Sequence, residues 1–162
     1  MQASAATAPG AEMVRPENPR AMQFAYPIRL TRDRKDRGFI VRCRDVPEAI
    51  TQGDTLEEAL TEAEGALQAA IEGRIEDNLE IPTPSAPKRG ERIVTTPITT
   101  ALKAAVYISM REQGVSKSEL ARRMGAHEKE ARRMLDPHQQ TKVPTLERAL
   151  AALGRQVTIA VR

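Results

Sequence analysis

The chain has 162 residues, a formal net charge of +3 at neutral pH, 40% hydrophobic residues and a single cysteine. That length suits one or two small domains with an apolar core, and the lone Cys43 excludes an intrachain disulfide. No apolar run approaches the roughly 18 residues of a membrane span, and the start lacks the basic-then-apolar order of a signal peptide, so a cytoplasmic protein is expected. The charge is unevenly spread. Residues 1–96 hold 13 Lys/Arg against 16 Asp/Glu, a balance of −3, whereas residues 97–162 hold 12 against 6, a balance of +6.

Residues 1–21 are rich in Ala, Pro and small polar residues without periodicity and read as a disordered tail. Residues 23–31 alternate, with Phe24, Tyr26, Ile28 and Leu30 on one face. Pro27 has no amide to give a ladder, which predicts an edge strand or a bulge. A charged turn from Arg32 to Arg37 leads through Gly38 to a second strand, Phe39 to Cys43, completing a hairpin. Cys43 reads as a small buried hydrophobe. After a loop around Pro47, Ile50-Thr51-Gln52 suits a short third strand ending at Gly53.

A long helix follows, capped by Asp54 with Glu57 or by Thr55 with Glu58. Leu56, Ala59, Leu60, Ala63, Leu67, Ala70 and Ile71 form an apolar stripe that should pack on the sheet. Glu57, Glu58, Glu62, Glu64 and Glu72 occupy the other face, which is either simply solvated or a docking surface for a basic partner. Residues 81–90 carry three prolines and read as an extended connector. Glu91 to Thr95 suits a further strand. A helix then starts at Thr96-Pro97, with Pro in the first helical position. It runs through Leu102, Ala105, Val106 and Ile108 to about Gln113, and Gly114 ends it.

The stretch Val115 to Leu135 carries the sharpest signal. Ser116 and Glu119 have capping-box spacing, so a helix should start at Lys117, with each side chain bonding the other residue's amide. Leu120, Ala121 and Met124 share its inner face, and Gly125 permits the left-handed turn that ends it. Ala131, Met134 and Leu135 give a second helix its apolar face. This is helix-turn-helix spacing. The second helix would present His127, Glu128, Lys129, Arg132 and Arg133 to a DNA groove, with Lys129 and Arg132 toward the bases and Arg133 nearer the backbone. Ser116, Lys117 and Ser118 would meet phosphates. The bland reading of the same residues is a helical hairpin with a solvated face. His127 and His138 with no Cys nearby do not make a zinc site, and no metal or cofactor is expected.

Thr145 should cap a last short helix with Leu146, Ala149, Leu150 and Leu153 inward. Residues 156–162 alternate, with Val157, Ile159 and Val161 on one face. A lone terminal strand has unpaired edges, and pairing with a second subunit would satisfy them. The expected fold is α+β. A small antiparallel sheet with one long helix occupies residues 22–95, including connector 81–90. An all-α helix-turn-helix domain with a terminal dimerising strand occupies residues 96–162.

Ile50-Thr51-Gln52-Gly53-Asp54-Thr55-Leu56-Glu57-Glu58-Ala59-Leu60, the hairpin before it and the Pro-x-Pro-Ser run at Pro82 to Ser85 resemble the HicB-type antitoxins. Ser116 to Pro137, followed by a helix ending in Ala-Leu-Gly, resembles the subclass with a Cro/repressor-like helix-turn-helix. Glu48 departs from the pattern, where a Gly is common after Pro47, and so does Ala131, where a larger aliphatic residue is common. The resemblance implies a partial RNase H-like N-terminal domain without catalytic activity. It implies that this domain blocks a small basic HicA-like ribonuclease toxin, and that a C-terminal domain binds operator DNA as a homodimer or higher even oligomer. Glu58 and Glu62 are the toxin-facing candidates on charge grounds. Two other functions compete. One is a solitary helix-turn-helix regulator whose N-terminal domain binds a ligand or another protein. The other is a nuclease of RNase H type, whose chemistry uses clustered carboxylates to hold two metals; Asp33, Asp36, Asp45 and Asp54 are available, but the first two sit in a charged turn and Asp54 is better explained as a cap.

Overall fold

The computed structural model describes residues 21–34 and 37–160. Three strands come first: β1 (Ala25–Arg32), β2 (Phe39–Cys43) and β3 (Ile50–Gly53). Helix α1 (Leu56–Glu76) and strand β4 (Glu91–Thr95) follow, then α2 (Ile98–Gln113), α3 (Lys117–Met124), α4 (Glu128–Leu135) and α5 (Val143–Ala152). The predicted tail lies outside the described residues except for Ala21.

The sheet has four antiparallel strands in the order β3-β2-β1-β4. The expected edge position of the Pro27 strand is therefore corrected: β1 is paired on both sides, and β4 is the strand that flanks it. The missing amide is tolerated for a local reason. Thr96 donates its N–H to the Phe24 carbonyl, 3.0 Å away. Backbone groups alternate sides along a strand, so the nitrogen of Pro27 faces away from β4. On that other side the pairing with β2 begins only at Ile28, opposite Cys43.

Alternation sends Tyr26, Ile28, Val41, Cys43 and Val94 inward, all buried. Ala59, Ala63, Leu67, Ala70, Ile71 and Ile75 of α1 meet them. Leu67 and Ile71 are fully buried, and each contributes about 1.5–3 kcal/mol by leaving water. Leu56, expected in the stripe, is exposed at the first helical turn, and Ile75 extends the stripe instead. The small residues at 59 and 63 let the helix approach closely. A Cβ on Gly53 would stand 2.4 Å from the Ala59 nitrogen, so the end of β3 must be glycine. Thr55, rather than Asp54, caps α1. Its hydroxyl accepts from the Glu58 amide at 3.1 Å, while the Glu58 carboxylate accepts from the Asp54 amide at 2.9 Å.

Residues 81–88 hold neither helix nor strand, but the connector is pinned by side chains. Arg111 donates to the Asn78 carbonyl at 2.7 Å, and Tyr107 to Leu79 at 2.8 Å. Arg74 donates to Glu80, and Tyr26 to Pro82 at 3.0 Å. Asp45 accepts from the amide and hydroxyl of Ser85, both at 2.8 Å. Each such bond supplies a backbone group with the partner it would otherwise find in water. Glu48 is ion-paired with Arg74 and fastens the loop after β2 to α1.

The helices after β4 share one contiguous apolar core with the sheet and α1. Pro97 is the residue before α2 and not its first helical residue. Lys142 occupies the cap position of α5 and Pro144 lies in its first turn, so Thr145 is not the cap. Proline suits a first turn because the amide it lacks would have no helical partner there. Leu146, Ala149, Leu150 and Leu153 point inward as expected. Residues 155–160 form no strand within the single chain. Val157 is half-buried against the core and Ile159 is 60% exposed; Val161 lies outside the described residues.

Candidate nucleic-acid interface

Two eight-residue helices, α3 and α4, meet across a tight turn. Ser116 caps α3, its hydroxyl accepting from the Glu119 amide at 3.1 Å. Gly125 ends α3 with φ of 64°, in the left-handed region, where a Cβ is disfavoured. Its neighbour Ala126 donates back to the Ala121 carbonyl at 2.9 Å, the backbone closure that Gly at this position allows. Ala121 and Ala131 are both buried, and their small size suits the close crossing of the two helices. Ala131 thus fills a position with little room.

The capping box is only half closed. Glu119 does not return to the Ser116 amide; its carboxylate accepts from Arg122 at 2.8 and 2.7 Å and from Arg123 at 2.9 Å. Those guanidiniums, Arg122 first, hold its pKa down at about 2. Two nearby cations compete better for the carboxylate than a neutral amide does.

Helix α4 buries Ala131, Met134 and Leu135. At about 100° per residue, those three set the outward direction at Lys129 and Arg133. Arg132 lies on the flank with Glu128. The two are ion-paired one turn apart, and the Ser118 hydroxyl with the Arg132 guanidinium holds the Glu128 carboxyl below its usual range. Ser118, Glu128 and Arg132 therefore form one cluster across the α3–α4 crossing. Lys129 and Arg133 instead line an open groove with His127 and Lys142. His127 is the residue before α4, its carbonyl accepting from Glu130 at 2.9 Å, and its side chain makes no capping bond. Ser116, Lys117 and Ser118 are exposed at the start of α3.

Lys103 is a functional support that the sequence reading missed. It is 2% exposed, and its ammonium donates to the carbonyls of Asp136 and Gln139, each at 2.7 Å. Asp136 is the residue that ends α4. A buried cation thus ties the carbonyl of the residue that caps α4, which also accepts from the Gln139 amide at 3.2 Å, to a carbonyl of the loop that follows, a favourable place for a positive charge beside a helix C-terminus. The available signal was a lysine set among Leu102, Ala104, Ala105 and Val106, where an amphipathic helix should be apolar.

On the other half of the chain, Glu58 and Glu62 are both exposed on α1. Glu58 is already engaged at the start of its helix. Glu72 is not on the free acidic face: it accepts from Thr100 of α2 and from Gln68, each at 3.0 Å. Among the described residues no three His, Cys, Asp or Glu side chains gather as a metal site. No helix of the described residues is long and apolar enough to cross a membrane.

The sequence profile for the HicB-like antitoxin of bacterial toxin–antitoxin systems matches residues 25–105. The chain belongs to the HicB-like antitoxin family. It is 39% identical to the antitoxin HicB 2 of Photorhabdus laumondii over 134 residues, covering 83% of this chain and 94% of that one. The antitoxin HicB of Escherichia coli K12 is 34% identical over 134 residues, 83% of this chain and 96% of that one. That of Pseudomonas fluorescens is 38% identical over 120 residues, 74% and 82%. The HicB-like match spans the sheet, α1, the pinned connector and the first half of α2.

Proposed function

We propose that this HicB-like antitoxin has two activities: it neutralises a small basic ribonuclease toxin, and it represses its own operon by binding operator DNA. The observation that carries the second is the α3–α4 pair, whose most outward side chains, Lys129 and Arg133, are cations beside His127 and Lys142. Arginine and lysine donate to guanine edges in a major groove, and exposed residues 116–118 suit phosphates. Arg132 contributes by exchanging its Glu128 partner for a phosphate. Toxin capture is assigned to the acidic face of α1, where exposed Glu62 and its neighbours attract a basic surface and raise the association rate. The operator complex is a homodimer held by the segment with Val157, Ile159 and Val161.

The test measures operator binding by wild type and by Lys129→Ala/Arg133→Ala, against a scrambled duplex. Losing base contacts should cost roughly 1–3 kcal/mol per residue on operator and less on the scrambled sequence. An operator preference unchanged in the double variant overturns this assignment. Capture of the neighbouring gene product by the same protein tests the antitoxin arm, and failure to bind a short basic ribonuclease encoded there overturns that arm.

A further inference from the structure

The sheet has a second face, turned away from α1. Ile28 and Leu30 of β1 and Val41 and Cys43 of β2 point to the helix, so Arg29 and Arg42 between them project from the opposite face. These two arginines are direct cross-strand partners. Like charges placed directly opposite each other destabilise a sheet, and no folding requirement calls for the pair. Arg44 and Lys88 join them around one open groove, with Pro47 and Glu91. The Glu91 side chain is only 4% exposed. It accepts from the Lys88 amide at 2.7 Å and stands 3.5 Å from Arg44 and 4.0 Å from Arg29. Asp45, beside Arg44 at 3.6 Å, is committed to Ser85, and Arg44 donates to the Ser85 hydroxyl at 2.6 Å and to the Ala86 carbonyl at 3.2 Å. Four cations thus face two carboxylates, in a region of the chain whose net charge is negative. The sheet separates that charge into an acidic helix face and a basic strand face.

We propose that this basic face binds the phosphodiester backbone of duplex DNA without regard to sequence. Arginine forks match phosphate oxygens bidentately, and the Arg29 side chain is 55% exposed. The groove lining contains no aromatic ring and no large aliphatic side chain. A protein partner would want such an anchor at the centre of its interface, and single-stranded nucleic acid would want a stacking platform. Tyr26 is buried on the far side of the sheet. The exposed isoleucines of this face, Ile50 and Ile93, stand on the two edge strands β3 and β4, three strand spacings or about 14 Å apart. A second copy's acidic α1 is the competing occupant, and the test includes it. The surface does not depend on α4. It would add sequence-independent contacts to whatever duplex the chain meets.

The experiment uses the full chain and a scrambled DNA duplex, with binding followed by anisotropy across a salt series. Arg29→Ala/Arg42→Ala should reduce the slope of log affinity against log salt by about 2, and weaken binding at low salt on the order of tenfold, since each phosphate contact contributes about 0.9 to the slope. Arg29→Lys/Arg42→Lys should keep most of the slope. An unchanged slope in an alanine variant with a native circular dichroism spectrum overturns the proposal. So does an unchanged slope combined with smaller particles in sedimentation, which reassigns the face to contacts between copies. Competition by polyglutamate without any duplex binding reassigns it to an acidic protein and also overturns the proposal. The Lys129→Ala/Arg133→Ala variant separates the two surfaces. It should lose operator preference yet retain the salt-dependent component that Arg29 and Arg42 supply, and an operator preference that survives there counts against α4 alone.

Discussion

Replacing Lys103 with methionine tests how α4 is held. Methionine keeps the length of the side chain and removes its charge and its donors. The two carbonyls at Asp136 and Gln139 then lose their 2.7 Å partners in a site closed to water. Hydrogen bonds from a charged donor contribute about 1.5–3 kcal/mol each. Burial opposes the charge, since it lowers the Lys103 pKa below the usual 10.5, so removing the ammonium recovers part of that loss. The expected net cost is about 2–3 kcal/mol, read as a lower midpoint in urea with an unchanged slope. The pH dependence has a definite sign. Because the folded state holds this proton less firmly than the unfolded chain, wild-type stability gains from this group as pH rises from the folded pKa toward 10.5. The methionine variant lacks that gain. Operator affinity should fall as well, because the C-terminal end of α4 frays. A variant as stable as wild type, with full operator affinity, would refute the idea that Lys103 anchors α4.

Gly53→Ala should destabilise the chain by roughly 1–3 kcal/mol, because its Cβ meets the Ala59 backbone at 2.4 Å; thermal unfolding measures it, and an unchanged midpoint refutes the close approach. Glu119 has a folded pKa near 2, against an ordinary 4.5, so its stabilising effect is present above 4.5 and is lost as pH falls toward 2. Glu119→Gln should flatten that acid limb in a titration of stability, and an identical limb in both proteins refutes it. Tyr107→Phe frees the Leu79 carbonyl and should cost about 1 kcal/mol, with faster amide exchange across residues 78–82 as its local signature.

Much of the fold was legible because it rests on local rules. The Ser116 cap, the Gly125 turn and the buried face of α4 follow from spacing, and Gly53-Asp54-Thr55 marked the start of α1. What escaped depended on distant partners. Nothing near Pro27 says that β4, some sixty residues later, will cover the side where no amide is missed. Glu119 obeys the capping-box spacing, yet Arg122 and Arg123 outbid the amide. Three prolines suggested an extended connector, but what fixes its entry, the bonds from Tyr26, Tyr107, Arg74 and Arg111, ends on backbone carbonyls and leaves no side-chain signature. The cross-strand meeting of Arg29 and Arg42 is invisible until the hairpin register is known, because a one-residue slip would put either arginine on the other face.

The end of the chain shows how structure refines a sequence argument. Alternation groups Val157, Ile159 and Val161 as one apolar row for pairing with a second subunit. In the single chain, however, Val157 already leans on the core, and Arg155 is ion-paired with Glu112 while its amide closes α5 on the Leu150 carbonyl at 2.8 Å. A truncation after Gly154 would therefore remove intrachain contacts together with the pairing segment. Ile159 is the cleaner probe: it is 60% exposed, so a charge there disturbs no core. Ile159→Asp, opposed by the same residue or its neighbour across a two-fold axis, would place buried carboxylates in the interface. Wild type should sediment as a dimer and the variant as a monomer at the same concentration, and operator affinity should fall steeply, because two half-sites no longer share one rigid frame. Thermal stability of the monomer and capture of toxin by α1 should be unchanged. A dimeric Ile159→Asp protein with full operator affinity would move the dimer interface away from this segment, and the open edges of β3 and β4 would then be the surfaces to examine.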